Sequence, residues 1–136
     1  MNKKLLDEIT YNIIGAAIEV HKALGTGLLE SVYHQCMKHE LALRNISFDS
    51  KLTMPVHYKG INLNTELRCD LFVEEFIVVE LKNVEKIAPI HEAQIHTYMK
   101  LLHAPKGVII NFNSFNIFND GQKTVVNEFY RQLNDE

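Results

Sequence analysis

The stretch CDLFVEEFIVVELKN, residues 69–83, decides how this chain is read. Two apolar, β-branched runs flank a pair of glutamates, so residues 67–73 and 76–81 are predicted as consecutive strands. Three ionisable groups, Asp70, Glu80 and Lys82, interrupt sequence that is otherwise fit for burial. Successive side chains of a strand point to opposite faces, so Val78, Glu80 and Lys82 share one face. By the same alternation Leu67, Cys69, Leu71 and Val73 share a face, opposite Arg68, Asp70 and Phe72. Burying charge without a partner is costly. Either Lys82 pairs with Asp70 or Glu80 at a strand end, or the carboxylates hold a hard cation such as Mg²⁺, which takes oxygen ligands.

The connection between the two strands carries a parity condition. A plain two-residue loop at Glu74–Glu75 would set Cys69 opposite Glu80 and turn Asp70 away from it, because a one-residue slip flips every side chain. A shared site for Asp70 and Glu80 therefore requires an odd-length connection or a bulge.

Outward from this core the chain reads simply. Leu5, Ile9, Ile13, Ala16, Val20 and Leu24 recur at helical spacing and predict a helix over residues 3–24. LGTG breaks it, and a second helix is predicted from Leu28 to Arg44 with Leu29, Val32, Cys36 and Leu43 facing inward. ISFDSKLTMPVHYKGINLN alternates as a strand pair turning at YKG. Pro89 starts a third helix over residues 90–102, and GVIINF reads as an interior strand. In the tail, NDG marks a turn followed by a strand or a short helix. The order is α-α-β-β-β-α-β plus a tail: an α/β sandwich whose mixed sheet begins as an antiparallel meander flanked by helices, in one domain spanning residues 1–136.

Composition limits the function. The 136 residues are 46% hydrophobic and 23% charged, as in a soluble globular domain. No apolar run approaches the roughly 20 residues of a membrane span, and MNKKLLDEITYNII does not read as a signal peptide. A cytoplasmic protein is expected, and two cysteines fit a reducing compartment. A net charge of -3 argues against coating nucleic acid by bulk attraction. HEAQIH sets its histidines five apart, about 140° around a helix, so they do not form a zincin pair. GTGLLE follows a helix and has Glu30 where a dinucleotide fingerprint needs glycine. His91 shares a helical face with Gln94 and is the one histidine with a candidate role; the others read as surface or supporting groups.

Three motifs stand in order: GLLESVY at 27–33, Asp70 followed after nine residues by ELK at 80–82, and QIHTY at 94–98. Together they resemble the PD-(D/E)XK nuclease superfamily, in particular its small GxxExxY proteins and its RecB-like branch. Cys69 stands where the name-giving proline would be. The resemblance spans about residues 5–130 and implies a restriction-endonuclease-like core and a Mg²⁺- or Mn²⁺-dependent nuclease. On this resemblance Asp70, Glu80, the Leu81 carbonyl and Glu30 hold the metal. Asp70, Glu80 and Lys82, with Gln94 and Tyr98 as supports, form the catalytic set, and Arg68, Lys86 and Lys100 hold substrate. The implied partner is nucleic acid, DNA in preference to RNA. So small a core is expected to need a homodimer or a partner protein for recognition. The competing reading is a non-catalytic nucleic-acid-binding or protein-interaction module on the same fold.

Overall fold

A computed structural model describes residues 1–136. Helix α1 (Lys3–Leu24) begins where Asn2 Oδ1 accepts the Leu5 N–H at 2.8 Å, an N-cap that satisfies one orphan donor. It ends at Gly25, whose φ of 71° suits glycine. Its buried stripe is Leu6, Thr10, Ile13, Ala16, Ala17 and Val20. Leu5, expected inward, is exposed.

Helix α2 (Glu30–Leu43) starts two residues later than expected and is rotated from the expected face. Tyr33, His34, Met37 and Leu41 are buried, whereas Leu29 and Leu43 are exposed and Cys36 is half-buried. Tyr33 is responsible. Its ring stacks on Phe112, with centroids 4.4 Å apart and planes 5° from parallel, and a buried aromatic outweighs the burial of one aliphatic.

The sheet has five strands in the order β1 (Phe48–Tyr58), β2 (Ile61–Val73), β3 (Ile77–Lys82), β4 (Lys106–Asn111), β5 (Gln122–Val126). All neighbours are antiparallel except β3 and β4, which are joined by the crossover helix α3 (Pro89–Leu102). The tail holds two single-turn helices, α4 (Ile117–Asp120) and α5 (Glu128–Arg131), on either side of β5, so it contains both a strand and short helix. Every residue of β4 is buried, as expected of an interior strand. Cores lie on both faces. Leu71, Val73, Ile77, Val79, Leu81, Val108 and Ile110 pack under α1 and α2. Phe72, Val78 and Ile109 pack under Ile95, Tyr98 and Met99 of α3. Each such side chain contributes about 1.5–3 kcal/mol by leaving water.

Between β2 and β3 the register is Leu71↔Val79, Phe72↔Val78 and Val73↔Ile77. The connection is thus Glu74–Phe76, three residues, the odd length that brings Asp70 and Glu80 to one level. Glu74 and Glu75 both have positive φ, 53° and 60°, and the Phe76 N–H donates to the Val73 carbonyl, which makes a tight turn with one extra residue.

One expectation fails along β2. Leu71 and Val73 belong to the core under α1 and α2, but Cys69 belongs to the core under α3. The partner strand does the same: Phe48 packs on the first side, Leu52 and Met54 on the second. The pairs Ser50↔Leu71 and Leu52↔Cys69 keep one register. Both strands therefore turn over together at Lys51 and Asp70, and Lys51, with φ of 53°, absorbs the change.

Candidate metal and catalytic site

The ladder between β2 and β3 stops at Leu71↔Val79, while β3 continues beside β4 to Lys82↔Asn111. β2 and β3 therefore fork, and the fork opens at Asp70 and Glu80. Side chains replace the missing ladder bonds. The Asp70 N–H donates to Glu80 Oε2 at 2.8 Å, and the Leu81 N–H donates to Asp70 Oδ2 at 2.8 Å. Each carboxylate thus holds the backbone of the other strand and spends one oxygen doing so. Asp70 Oδ1 and Glu80 Oε1 have no such bond. No buried side-chain oxygen lacks a partner, so these two open on solvent.

The fork disfavours negative charge on its acids. Glu80 is only 4% exposed. Burial, then the neighbouring Asp70 carboxylate, push its carboxyl up to about 8, against relief from the Asp70 N–H and from Lys82. Glu30, at the first turn of α2, is raised by partial burial and then by Asp70, with Lys82 and His34 acting the other way. The phenol of Tyr98 is raised by burial and then by Glu80 and Asp70. These dependences put Glu30 from one side of the sheet, and Tyr98 from the other, in the field of the same two carboxylates. The acids do not close into a ready-made cage of three ligands.

Lys82 forms no ion pair; the five ion pairs lie elsewhere. The strand-end salt bridge that its spacing also allowed is not formed. Its Nζ instead donates to Gln94 Oε1 at 3.4 Å, and Gln94 in turn favours the ionised form of the Tyr98 phenol against the larger effect of burial. Gln94 and Tyr98 are one helical turn apart on α3 and so reach the fork together.

The GLLESVY segment has a division of labour. Tyr33 is fully buried, and its hydroxyl donates to the Gly25 carbonyl at 2.7 Å while accepting the Leu28 N–H at 3.2 Å. It closes the loop that leads into α2 at Glu30. The far end of that loop is tied to β3, because Asn83 Nδ2 donates to the Leu28 carbonyl at 2.7 Å.

Sequence reading did not single out three supporting residues. His34 Nε2 lies 3.1 Å from the Asp70 carbonyl and 3.2 Å from Ser50 Oγ, at the point where β2 turns over. Asn111, 2% exposed, binds both the N–H and the carbonyl of Val84 and so holds the chain just beyond Lys82. Asn83 is the third. The signal for Asn111 was present, since a lone amide inside GVIINF must find partners when buried. His91 Nδ1 accepts the Ala88 N–H at 2.9 Å and caps α3, which accounts for it structurally.

Two of the three basic residues, Lys86 and Lys100, face away from the fork. Lys86 lines a cleft of about 520 Å³ with Asn113, Phe115 and Lys123 beyond the end of β4. Lys100 is exposed and stands about 140° around α3 from the Gln94–Tyr98 face, because six and two residues separate them at roughly 100° each. Arg68 is exposed on β2, opposite Thr53.

The donor set fits a hard divalent cation: two carboxylates with one free oxygen each, a third acid nearby, and a carboxyl whose raised pKa an ion would reverse. No curated protein matches the chain by sequence. Among solved proteins, the crystal structure of SSO0001 is similar in fold, with a TM-score of 0.51 at 19% identity; the match covers 71% of this chain and 48% of that one, so this chain spans about half its length. A family model described as the PD-(D/E)XK nuclease superfamily matches residues 7–125. With the fork, its acids and its lysine in place along most of the chain, the protein belongs to the PD-(D/E)XK nuclease superfamily.

Proposed function

We propose that this chain is a metal-dependent nuclease, of the GxxExxY and RecB-like kind, that hydrolyses phosphodiester bonds of nucleic acid. One observation carries the reading: two buried-side carboxylates each lock a backbone N–H with one oxygen and turn the other to solvent, beside a lysine that has no acid partner. Neither carboxylate is neutralised by an ion pair.

Asp70 and Glu80 would hold Mg²⁺ or Mn²⁺, with the Leu81 carbonyl and Glu30 completing the oxygen set. Bound there, the ion supplies Lewis-acid activation of water and charge neutralisation at the phosphate. Lys82 orients the attacking water or stabilises charge on the phosphate as it is attacked. Gln94 accepts from Lys82 Nζ and so steadies the lysine beside the site, with Tyr98 one helical turn along α3. Asn83 and Tyr33 keep Glu30 at the fork, and Asn111 keeps the chain after Lys82 from swinging away. Deoxyribonucleic acid is the favoured substrate over RNA, and a second copy or a partner protein would extend the recognition surface.

The test is a titration with Mn²⁺ beside cleavage of labelled single- and double-stranded DNA and RNA. The wild type should bind Mn²⁺ and cleave at least one substrate, and Asp70→Ala should do neither. Binding of nucleic acid without Mn²⁺ affinity better than millimolar, and without cleavage, would select the non-catalytic module.

A further inference from the structure

The β1–β2 hairpin outruns the sheet. Beyond Met54 and Leu67, residues 55–66 pack against nothing: all are exposed apart from the half-buried Val56. The ribbon starts at the turn-over point, Lys51 and Asp70, and ends at the Lys59–Gly60 turn, where both residues have positive φ. Eight steps from Lys51 to Lys59, at about 3.3 Å each, give an arm of roughly 26 Å. The arm therefore begins at the fork itself and projects from it.

Its two faces differ. Thr53↔Arg68 and Pro55↔Glu66 pair on one face, and after a register shift between Pro55 and His57 the pair His57↔Asn62 follows; this side is polar and rich in hydrogen-bonding groups. Tyr58↔Ile61 pair on the other, with Leu63 two residues on. Residues 51–68 hold three cations, Lys51, Lys59 and Arg68, against the single acid Glu66, in a chain whose net charge is -3. Lys59 Nζ sits 5.3 Å from the centre of the Tyr58 ring at the tip. The charge and polarity of one face single out a polyanion as the partner of that face, whereas Tyr58, Ile61 and Leu63 leave the other face apolar.

We propose that this arm is a nucleic-acid-binding ribbon that lies in the groove of a duplex and seats the strand at the fork. A two-stranded ribbon matches the major groove of about 12 Å width, and an arm of roughly 26 Å follows most of one helical turn. The polar face supplies Arg68, His57, Asn62 and Thr53 to base edges and phosphates, and Lys51 and Lys59 meet the backbone at its two ends. The charge is local, so the acidic protein grips its substrate by this arm and not by its whole surface. This deepens the nuclease reading, on which the choice of substrate rests.

The experiment measures binding without metal, so that the arm and the chemistry are tested separately. Anisotropy of a labelled 24-base-pair duplex of mixed sequence, in EDTA and over a salt series, is compared for wild type and Lys59→Glu/Arg68→Glu. Both positions are exposed, so the melting temperature is expected to stay as in wild type. The variant should bind the duplex at least about tenfold more weakly, with a salt slope shallower by about two. Equal affinity and slope in the two proteins would overturn the proposal. So would a loss confined to single strands, or a change in sedimentation behaviour with unchanged duplex binding, which would make the arm a contact between copies. An arm that binds duplex in a protein that never cleaves would leave the proposal standing and remove the nuclease reading instead.

Discussion

Asp70 and Glu80 hold each other's strands: the Asp70 N–H donates to Glu80 Oε2, and Asp70 Oδ2 accepts the N–H of Leu81, both at 2.8 Å. A carboxylate pair that replaces two ladder bonds is fixed in position before any ligand arrives. The fixing has a cost, because Glu80 is buried beside a like charge.

That cost predicts a pH dependence. The carboxyl of Glu80 stands near 8 in the fold and near 4.5 when unfolded. A raised carboxyl stabilises the fold below the unfolded value and loses that contribution as pH climbs through the folded one. The metal-free protein should therefore lose stability between about pH 4.5 and pH 8. Glu80→Gln keeps an oxygen for the Asp70 N–H and removes the charge, so it should be more stable by about 2–4 kcal/mol at pH 8 and by little at pH 4.5. Denaturant titrations at both pH values check this. A Gln variant that is equal to or weaker than wild type at pH 8 would mean that Glu80 is ionised and satisfied in the apo fold.

Adding metal should reverse the penalty. A divalent ion ionises Glu80, so Mn²⁺ binding near pH 7 should release up to about one proton, seen by calorimetry in two buffers of different ionisation heat. The melting temperature should rise with Mn²⁺ concentration, by binding to the native state. Chelation with EDTA should return it to the starting value.

Tyr33→Phe isolates the loop that carries Glu30. The ring stack on Phe112 remains, but the Leu28 N–H and the Gly25 carbonyl lose their shared hydroxyl. The expected loss is about 1–3 kcal/mol of stability, with weaker Mn²⁺ binding than stability alone would explain, because Glu30 is no longer delivered. Thermal melts and Mn²⁺ titration on the same samples separate the two effects.

Gly107→Ala tests the packing under α3. A Cβ there would stand 2.8 Å from Met99 Sδ and 2.9 Å from Ile95 Cδ1. Both are side-chain ends that can shift, so the change should cost about 1–3 kcal/mol without loss of the fold. Displacing α3 also moves Gln94 and Tyr98, so Lys82-dependent activity should fall more than Mn²⁺ affinity.

Much of this was legible in the chain. Element order followed from period, and the odd-length Glu74–Phe76 connection followed from requiring Asp70 and Glu80 on one face. The face of α2 was misread because aliphatic spacing at Leu29, Val32 and Leu43 looked continuous. Tyr33 fixed the rotation through a stack on Phe112, a contact 79 residues away in sequence that periodicity does not encode. The turn-over at Lys51 and Asp70 was likewise hidden, since a lysine with positive φ leaves no residue signature as a glycine would. Supporting roles of His34, Asn83 and Asn111 depend on backbone atoms of distant strands, which local spacing cannot reveal.

Lys82 gives the most direct test of the central claim, because it lies at the fork without an acid partner and is held by Gln94 alone. The measurement is cleavage of a labelled duplex by wild type and Lys82→Ala at saturating Mn²⁺, with Mn²⁺ affinity and melting temperature taken on the same preparations. The account predicts that Lys82→Ala keeps its fold, binds Mn²⁺ as well as wild type or better, and cleaves roughly 10² to 10³-fold more slowly. Cleavage at the same rate by both folded, metal-loaded proteins, or no cleavage by either, would contradict it.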